Sequence, residues 1–241
     1  MPAGPPIRAV LFDFYGTLAH AVAWGDTHEQ VFDRHGLAFD PATWDHNFVG
    51  EANDGDTHLE HSTTRDTYVA WELERMRRRA RACGVGEDDL EALVADLHRA
   101  AKTYTLAPYD EVLAVLAELR GRGMVLAICS NWDWDIDRAV AQAGLEGAVD
   151  VVVTSARAGA RKPHARIFRH TLERCMVAPP EALFVGDTVH ADVTGPVAYG
   201  MRAVHVLRDD IQGEVPTLPD GATRARDLTA VLDLVDRTAQ T

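Results

Sequence analysis

Four short segments that follow apolar runs carry side chains capable of covalent or metal chemistry. They are Asp13 in "VLFDFYGTL", Ser130 in "AICSN", Lys162 in "RKP" and Asp187 in "LFVGDTVHAD". A carboxylate can act as a nucleophile, hydroxyl and ammonium groups can hold an anionic group, and further carboxylates can bind a cation. Taken singly, Asp13 and Ser130 are better explained as ordinary turn residues. Their shared position after apolar runs predicts that they form one site.

Lysine is rare in this chain, and this rarity makes Lys162 a candidate functional residue. Of 24 Lys and Arg residues, only Lys102 and Lys162 are lysines. A compact ammonium group donates to carboxylate or phosphoryl oxygens without the planar geometry of a guanidinium, and Pro163 fixes the turn that presents Lys162. The alternative is that one lysine has been retained by chance, but the rarity of lysine favours a functional role for Lys162.

The segment "GDTVHAD" carries two carboxylates beside a glycine. Asp187 and Asp192 supply hard oxygen ligands of the kind that Mg²⁺ takes, with waters and substrate oxygens completing the octahedron. Acidic residues in a loop are also common as helix caps. The spacing alone leaves both a metal site and a capping role open.

Five short apolar runs predict the strands that position these residues. Their β-branched content and near-continuous hydrophobicity are typical of strands covered on both faces. Helical patterns with a period near 3.6 alternate with the last four runs, which predicts an α/β fold with a doubly wound parallel sheet. Ligands of such sheets bind beyond the carboxyl ends of the strands, where the four segments above would meet. The runs read "IRAVLF", "MVLAIC", "DVVVT", "LFVG" and "AVHVL".

One interval is too long for a single crossover, since roughly ninety residues separate the first run from the helical pattern at Val112. Two apolar stripes with helical spacing lie within it, one from Val69 to Cys83 and one from Leu90 to Leu97. We therefore predict a core over residues 1–18 and 106–241 and an inserted α-helical cap domain over residues 19–105. The cap would form a lid. The basic run at residues 75–81 is interpreted as a solvated helix face.

Composition narrows the class of protein. The 241 residues carry a formal net charge of −13, which argues against nucleic-acid or anionic-membrane partners and favours a cationic cofactor. The three cysteines are far apart and show no metal spacing, so we expect reduced thiols in a cytoplasmic protein without a membrane segment. We expect a small-molecule substrate and a monomer or homodimer.

The four segments together resemble the motifs of the haloacid dehalogenase (HAD) superfamily of hydrolases. "VLFDFYGTL" is similar to the first motif, "AICSN" to the second, "RKP" to the third and "LFVGDTVHAD" to the fourth, in the same order. The long insertion after the first motif is similar to the helical cap of some members. The resemblance covers nearly the whole chain and implies a capped hydrolase with a Rossmann-like core.

Carried over position by position, the resemblance implies a catalytic role for three residues. Asp13 would be the nucleophile, and Ser130 and Lys162 would hold the transferring group and its charge. The side chains contacting the substrate around them would be Tyr15, Thr17 and Asn131.

The resemblance also implies a Mg²⁺ site. Asp187 would bind the ion together with Asp13 and the main-chain carbonyl of Tyr15. Asp192 would complete the metal-site residues, orienting Lys162 or a metal-bound water.

Tyr15 departs from the phosphatase pattern. Phosphatases of this superfamily carry a second aspartate there, as general acid and then general base, and a phenol with a pKa of about 10 replaces it poorly near neutrality. L-2-haloacid dehalogenases also have tyrosine at this place, but they work without a metal and depart from the "GD" pattern of the fourth motif. Because Asp187 and Asp192 are retained, we favour Mg²⁺-dependent hydrolysis of a small phosphorylated metabolite. The alternatives are a metal-independent haloacid dehalogenase and a non-catalytic ligand-binding or regulatory protein.

The cap is expected to set specificity, and the missing acid would either be made unnecessary by a good leaving group or be supplied by the cap. The histidines available for that role are His20, His28, His46 and His58. The candidate specificity residues are Trp24, Trp44, Phe48, Arg65, Tyr68, Trp71, Trp132 and Trp134.

Overall fold

A six-stranded parallel sheet forms the centre of the molecule. The computed structural model describes residues 5–44, 58–208 and 216–239. The strands of this sheet are β1 (Ala9–Phe12), β4 (Val125–Ser130), β5 (Val151–Thr154), β6 (Ala182–Gly186), β7 (Arg202–Val206) and β8 (Ala222–Ala225). Their order in the sheet is β5-β4-β1-β6-β7-β8, so the sheet is doubly wound from β1, as predicted.

The register of the sheet brings three of the four motifs to one edge. All four residues of β1 are buried, and Phe12 pairs with Ile128 of β4 and with Val185 of β6. The amide of Asp13 continues the ladder by donating to the carbonyl oxygen of Val185 at 2.9 Å. The first residues beyond these three strands therefore lie side by side at the carboxyl edge.

Helices cover both faces of the sheet and bury its apolar side chains in two clusters. The core helices are α4 (Val112–Gly121), α5 (Ile136–Gln142), α6 (Ser155–Ala158), α7 (Ala165–Cys175), α8 (Gly195–Ala198) and α9 (Thr229–Ala239). One face of the sheet packs against α4 and α9, and the other packs mainly against α7, whose residues Ile167, Phe168 and Leu172 are buried.

The described part of the inserted segment folds largely as helices. Its described helices are α1 (His28–Arg34), α2 (Arg65–Ala82) and α3 (Glu87–Ala101), with a 3-10 turn at Leu59–His61. Their apolar faces form a separate core in which Phe32, Leu93 and Leu97 are buried. The basic run at residues 75–81 is mostly paired on the surface, as Arg77 with Glu91 shows, whereas Arg79 is buried.

Two features of the fold were absent from the sequence predictions. Strands β2 (Ala19–Trp24) and β3 (Tyr104–Pro108) form an antiparallel pair at the base of the insertion. Strand β8 extends the parallel sheet at its edge. The predicted boundary between residues 105 and 106 falls inside β3, and we retain the division into core and cap as a proposal.

Charged side chains join the insertion to the loop after β4. Lys102 lies 2.5 Å from Asp133, and Arg65 forms a two-pronged contact with Asp135 at 2.6 and 2.8 Å. Lys102 also pairs with Glu72 of α2 at 3.2 Å. The insertion is thus held against the segment that follows Ser130.

His58 makes a buried contact at the same junction. Its amide donates to the carbonyl oxygen of Gly159, and its Nδ1 lies 2.8 Å from the Ser62 hydroxyl oxygen. Burial, helped by the charges of Arg161 and Arg75, lowers the pKa of His58 to about 4. His58 is therefore neutral at pH 7 in the folded protein.

We predict that His58 makes the fold acid-sensitive. Below pH 6.5 the unfolded chain binds a proton at His58 that the folded protein does not, so stability falls from about pH 6.5 toward pH 4. The contribution lost between pH 7.5 and 5 is about 2 kcal/mol. Urea unfolding at both pH values should show a correspondingly smaller acid-induced loss in His58→Asn than in the wild type. Equal losses in the two proteins would contradict this role.

No helix among the described residues is long and apolar enough to cross a membrane. The three cysteines are free thiols, with Cys129 and Cys175 buried and Cys83 partly buried, in agreement with the sequence prediction of unpaired cysteines.

Candidate active site

A cavity of about 330 Å³ lies at the carboxyl edge of β1, β4 and β6. Most of the predicted site residues line it, although they come from segments far apart in the chain. The lining residues are Asp13, Tyr15, Ser130, Asn131, Trp132, Arg161, Lys162, Asp187, Thr188, Ala191 and Asp192.

Two donors fix the carboxylate of Asp13. The hydroxyl of Ser130 donates to Oδ1 of Asp13 at 2.8 Å, and Nζ of Lys162 donates to the same oxygen at 2.6 Å. All three residues are buried. Because β1 and β4 are neighbouring strands, the sheet itself sets the distance between Asp13 and Ser130. Asp13 is thus held in one orientation at the edge of the sheet.

Lys162 bridges two carboxylates. Its Nζ also donates to Oδ1 of Asp192 at 2.6 Å. Burial by itself would lower the pKa of Lys162, but the charges of Asp13 and Asp192 outweigh burial and raise that pKa. The ammonium group therefore stays charged in a fully buried position, where an unpaired charge would be very costly.

The backbone of Lys162 is held by Asn131. Nδ2 of Asn131 donates to the carbonyl oxygen of Lys162 at 3.1 Å, and the amide of Lys162 donates to Oδ1 of Asn131 at 2.7 Å. This reciprocal pair ties the third motif to the second and sets the position from which the lysine side chain enters the cavity. Asn131 thus positions Lys162, in addition to lining the cavity.

Asp187 lies against the turn that follows Asp13. A Cβ at Gly16 would stand 2.3 Å from Oδ2 of Asp187, and Gly16 has a φ of +84°, so glycine is required there for both reasons. Nε2 of His205 lies 2.9 Å from the carbonyl oxygen of Asp187, while Arg224 donates to Nδ1 of His205 at 3.2 Å. Because Nδ1 of His205 accepts this hydrogen bond from Arg224, the imidazole proton is on Nε2, which donates to the carbonyl oxygen of Asp187.

Electrostatics favour a cation beside Asp187. Burial and the nearby charge of Asp13 raise the pKa of Asp187. Burial and the charge of Asp13 also raise the pKa of Asp192, although the charge of Lys162 opposes this shift. Carboxylates that repel one another in a partly dry site are stabilised by a shared positive charge.

The donor set fits Mg²⁺. Oxygens of Asp13, Asp187 and Asp192 all lie within 4.8 Å of one another, and hard carboxylate oxygens are the ligands this ion prefers. The oxygens of Asp192 are already engaged, Oδ1 by Lys162 and Oδ2 by the amide of Thr188 at 3.0 Å. Asp13 and Asp187 are therefore the better candidates for direct ligands, with Asp192 as an orienting neighbour.

The remaining predicted residues differ in their placement. Tyr15 lies at the cavity and is 36% exposed, whereas Thr17 is fully buried and is not among the lining residues. His58 does not line the cavity either, and His28 packs against Trp44 inside the insertion. His46 and Phe48 lie outside the described residues.

Several residues around the site were missed by sequence reasoning. Arg161 and Thr188 line the cavity, and both adjoin motif residues, which could have revealed them. His205 is a polar residue inside a buried strand, a signal that was available in "AVHVL". Arg208 donates to the carbonyl oxygen of Thr17 at 2.6 Å and pairs with Glu111. No sequence signal indicated Arg208.

The parallel sheet, the insertion after β1 and the clustered motifs define an α/β protein with a cluster of polar side chains at the strand ends. A model of the haloacid dehalogenase-like hydrolase family matches residues 7–200. The chain therefore belongs to the haloacid dehalogenase-like hydrolase family, and the sequence prediction of superfamily and fold is confirmed.

Relatives in this family differ in the activities that their names describe. The chain is 38% identical over 137 residues to a phosphoserine phosphatase of Thermus thermophilus, an alignment that covers 56% of this chain and 54% of the relative. It is 29% identical to human haloacid dehalogenase-like hydrolase domain-containing protein 3, over 83% of this chain and 82% of that protein. The match to the phosphatase thus spans only about half of that protein's length.

The fold is also that of a solved dehalogenase. The structure of a 2-haloacid dehalogenase from Pseudomonas syringae superposes with a TM-score of 0.68 at 20% identity, covering 96% of this chain and 99% of that chain. At this identity the likeness shows the fold alone. The reaction has to be argued from the site.

Proposed function

We propose that the protein is a Mg²⁺-dependent phosphatase that hydrolyses a small phosphorylated metabolite through Asp13. The observation that carries the proposal is the cluster of Asp13, Asp187 and Asp192 around the buried ammonium of Lys162. The three carboxylates outnumber the two basic side chains at the cavity, Lys162 and Arg161, and a divalent cation would offset the remaining negative charge. Displacement of halide from carbon would also use Asp13 and Lys162, but it has no comparable need for the additional carboxylate of Asp187.

The reaction would proceed in two displacements. A carboxylate oxygen of Asp13 attacks phosphorus, the bond from phosphorus to the alcohol oxygen breaks, and the alkoxide takes a proton. Water then attacks phosphorus, releasing inorganic phosphate and the free carboxylate of Asp13. Dividing the hydrolysis in this way replaces one difficult step with two easier ones.

The residues around Asp13 would hold the phosphoryl group. Ser130 and Lys162 are placed to donate to its oxygens, and both already aim donors at Asp13. When bound by Asp13 and Asp187, Mg²⁺ would neutralise phosphoryl charge. Asp192 keeps Lys162 charged and in place through the 2.6 Å ion pair.

The proton for the leaving alcohol is the unusual feature of this site. Tyr15 occupies the place of the general acid, and its phenol is a weak donor near neutrality. The cap histidine His58 does not line the cavity and is held neutral by its lowered pKa. We therefore infer that the natural leaving group needs little protonation, or that Tyr15 donates slowly.

A haloacid dehalogenase activity is the second candidate. Tyr15 favours it, because halide leaves without a proton. The third candidate, a ligand-binding protein without turnover, is opposed by the intact contacts among Asp13, Ser130 and Lys162.

A paired assay separates these functions. Phosphate release from a panel of phosphate esters, with Mg²⁺ or with a chelator, is measured beside halide release from L-2-chloropropionate. We expect phosphate release that the chelator abolishes and no halide release. Halide release indifferent to the chelator would establish the dehalogenase instead. If neither phosphate nor halide is released but a phosphate compound still raises the melting temperature, a ligand-binding protein without turnover is favoured.

We predict that restoring the acid accelerates the slow substrates. Tyr15→Asp should raise kcat for esters of poorly acidic alcohols by about 10²-fold, because a positioned acid contributes this much or more. Cleavage of acetyl phosphate, whose leaving group needs no proton and carries no ring, should change little. Tyr15→Asn is the matched control, since it removes the ring without adding an acid. Equal kcat values for Tyr15→Asp and Tyr15→Asn would refute the missing-acid explanation.

A further inference from the structure

Aromatic side chains are concentrated beside the catalytic cavity. The ring of Tyr15 lies 5.4 Å from that of Trp24 and 6.4 Å from that of Trp132, measured between centroids. Behind them, Tyr104 lies 5.9 Å from Trp132, and Phe14 meets Trp132 edge-on at 5.4 Å. We call Tyr15, Trp24 and Trp132 the aromatic wall.

The aromatic wall is attached to the motifs that would hold the phosphoryl group. Tyr15 lies two residues beyond Asp13, and Trp132 directly follows Asn131. Trp24 ends β2, the strand that leaves the first motif, and it pairs there with Tyr104 of β3. A group joined to a phosphoryl bound at Asp13 would therefore meet Tyr15 and Trp132 first and Trp24 farther out.

Packing does not account for the exposed part of the wall. Trp24 is 55% exposed and Tyr15 is 36% exposed, whereas Phe14 is fully buried. A single exposed tryptophan is ordinary, but two exposed rings continuous with a polar cavity are a feature of ligand sites. Phe14 and Tyr104 pack against Trp132, and Tyr104 also lies 6.1 Å from Trp24, so the wall is supported from behind.

The geometry of the wall selects the kind of group that would bind. Its rings are tilted by 56° between Tyr15 and Trp24 and by 38° between Tyr15 and Trp132, so they present both faces and edges. A planar aromatic ring gains from such surfaces through offset-stacked and edge-to-face contacts, which a saturated ring of the same size cannot make. These ring contacts contribute binding free energy beyond that from the burial of apolar area.

We propose that the aromatic wall is the subsite for the leaving group, and that the substrate is a phosphate monoester whose alcohol carries a planar aromatic or heteroaromatic ring. This inference rests on the proposed phosphatase function for the position of the phosphoryl group. It adds a specificity role for Trp24, a residue that does not line the catalytic cavity and has no part in the chemistry.

Matched substrates test the inference by kinetics. 2-Phenylethyl phosphate and 2-cyclohexylethyl phosphate have leaving alcohols of similar acidity and size, and only the first is aromatic. We expect kcat/KM to favour the phenyl ester by roughly 3- to 10-fold. Trp24→Leu should remove most of the preference, Trp24→Phe should retain it, and ethyl phosphate should react equally with all three proteins. Val22→Ala, at an exposed position of the same strand, is the control and should behave as the wild type.

Three outcomes would overturn the inference. Equal kcat/KM for the phenyl and cyclohexyl esters would show that the wall does not select aromatic rings. An equal loss for all three esters in Trp24→Leu would indicate a structural role for Trp24. A stronger preference for phosphocholine would identify the wall as a site for a quaternary ammonium ion, which aromatic rings also bind.

A binding measurement keeps the inference testable if no ester is hydrolysed, an outcome that would defeat the proposed phosphatase function. Calorimetric titration then compares 2-phenylethylphosphonate with 2-cyclohexylethylphosphonate on the wild type and on Trp24→Leu. A lower Kd for the phenyl compound, lost in Trp24→Leu, supports the aromatic subsite independently of turnover. Equal Kd values, or no binding of either compound, overturn it.

Discussion

Asp13→Asn is expected to reduce phosphate-ester hydrolysis by at least about 10⁴-fold. An amide cannot form the phosphoaspartate on which the proposed two-step reaction depends. The substitution keeps the size of the side chain, and the position of Lys162 remains secured by Asp192 and by Asn131. We therefore expect a folded protein that has lost turnover, as judged from initial rates and the urea midpoint.

Binding of a phosphonate to Asp13→Asn distinguishes loss of chemistry from loss of the site. The variant removes a negative charge beside Lys162, so affinity for the anionic phosphonate should be retained or increased. Full retained activity would refute the assignment of Asp13. If Asp13→Asn loses activity because it unfolds, it does not test the catalytic role of Asp13. Ser130→Ala, which removes only one hydrogen-bond donor to Asp13, then serves as the second variant.

Lys162→Met is expected to be the most destabilising substitution at the site. It leaves the buried carboxylates of Asp13 and Asp192 facing each other without their shared ammonium group, and breaking a buried ion pair from one side costs about 3 to 5 kcal/mol. The free energy of unfolding, measured in urea without Mg²⁺, should fall by this amount. Lys162→Met/Asp192→Asn should recover part of the loss, because the second change removes one of the unpaired charges.

The only other lysine provides the matched control. Lys102 also lies between two carboxylates, Glu72 and Asp133, but its side chain is 21% exposed, against 2% for Lys162. Lys102→Met should therefore cost about 1 kcal/mol, since partly solvated ion pairs contribute little. Equal losses for the two lysines would contradict the account of Lys162 as a buried bridge.

The strands that matter most for the site could be predicted because they are continuous apolar runs. β1 is covered on both faces, so its sequence carries the signal of a central strand, and the position of Asp13 follows from it. β8 could not be predicted, since "ATRA" at the sheet edge has no apolar run. β2 and β3 are stabilised by pairing with each other across the whole insertion, a contact that no local pattern shows.

The candidate site, like the fold, could be predicted from the sequence only in part. Residue types and order, with the family resemblance, indicated Asp13, Ser130, Lys162 and Asp187, and the structure places all four in one cavity. The sequence could not show that one oxygen of Asp13 accepts from both Ser130 and Lys162, because that depends on side-chain geometry across 149 residues of separation. The bracing of Asp187 by His205 likewise exists only once β6 and β7 pair.

The mass of the peptide that contains Asp13 tests the central claim most directly. Enzyme with Mg²⁺ is mixed with a phosphate ester and L-2-chloropropionate together, quenched in acid within the first turnover and digested for mass mapping. We predict a phosphoryl group on Asp13 that disappears when Mg²⁺ is chelated. A 1-carboxyethyl ester on Asp13, or phosphate release with no modification of that peptide, would contradict the claim.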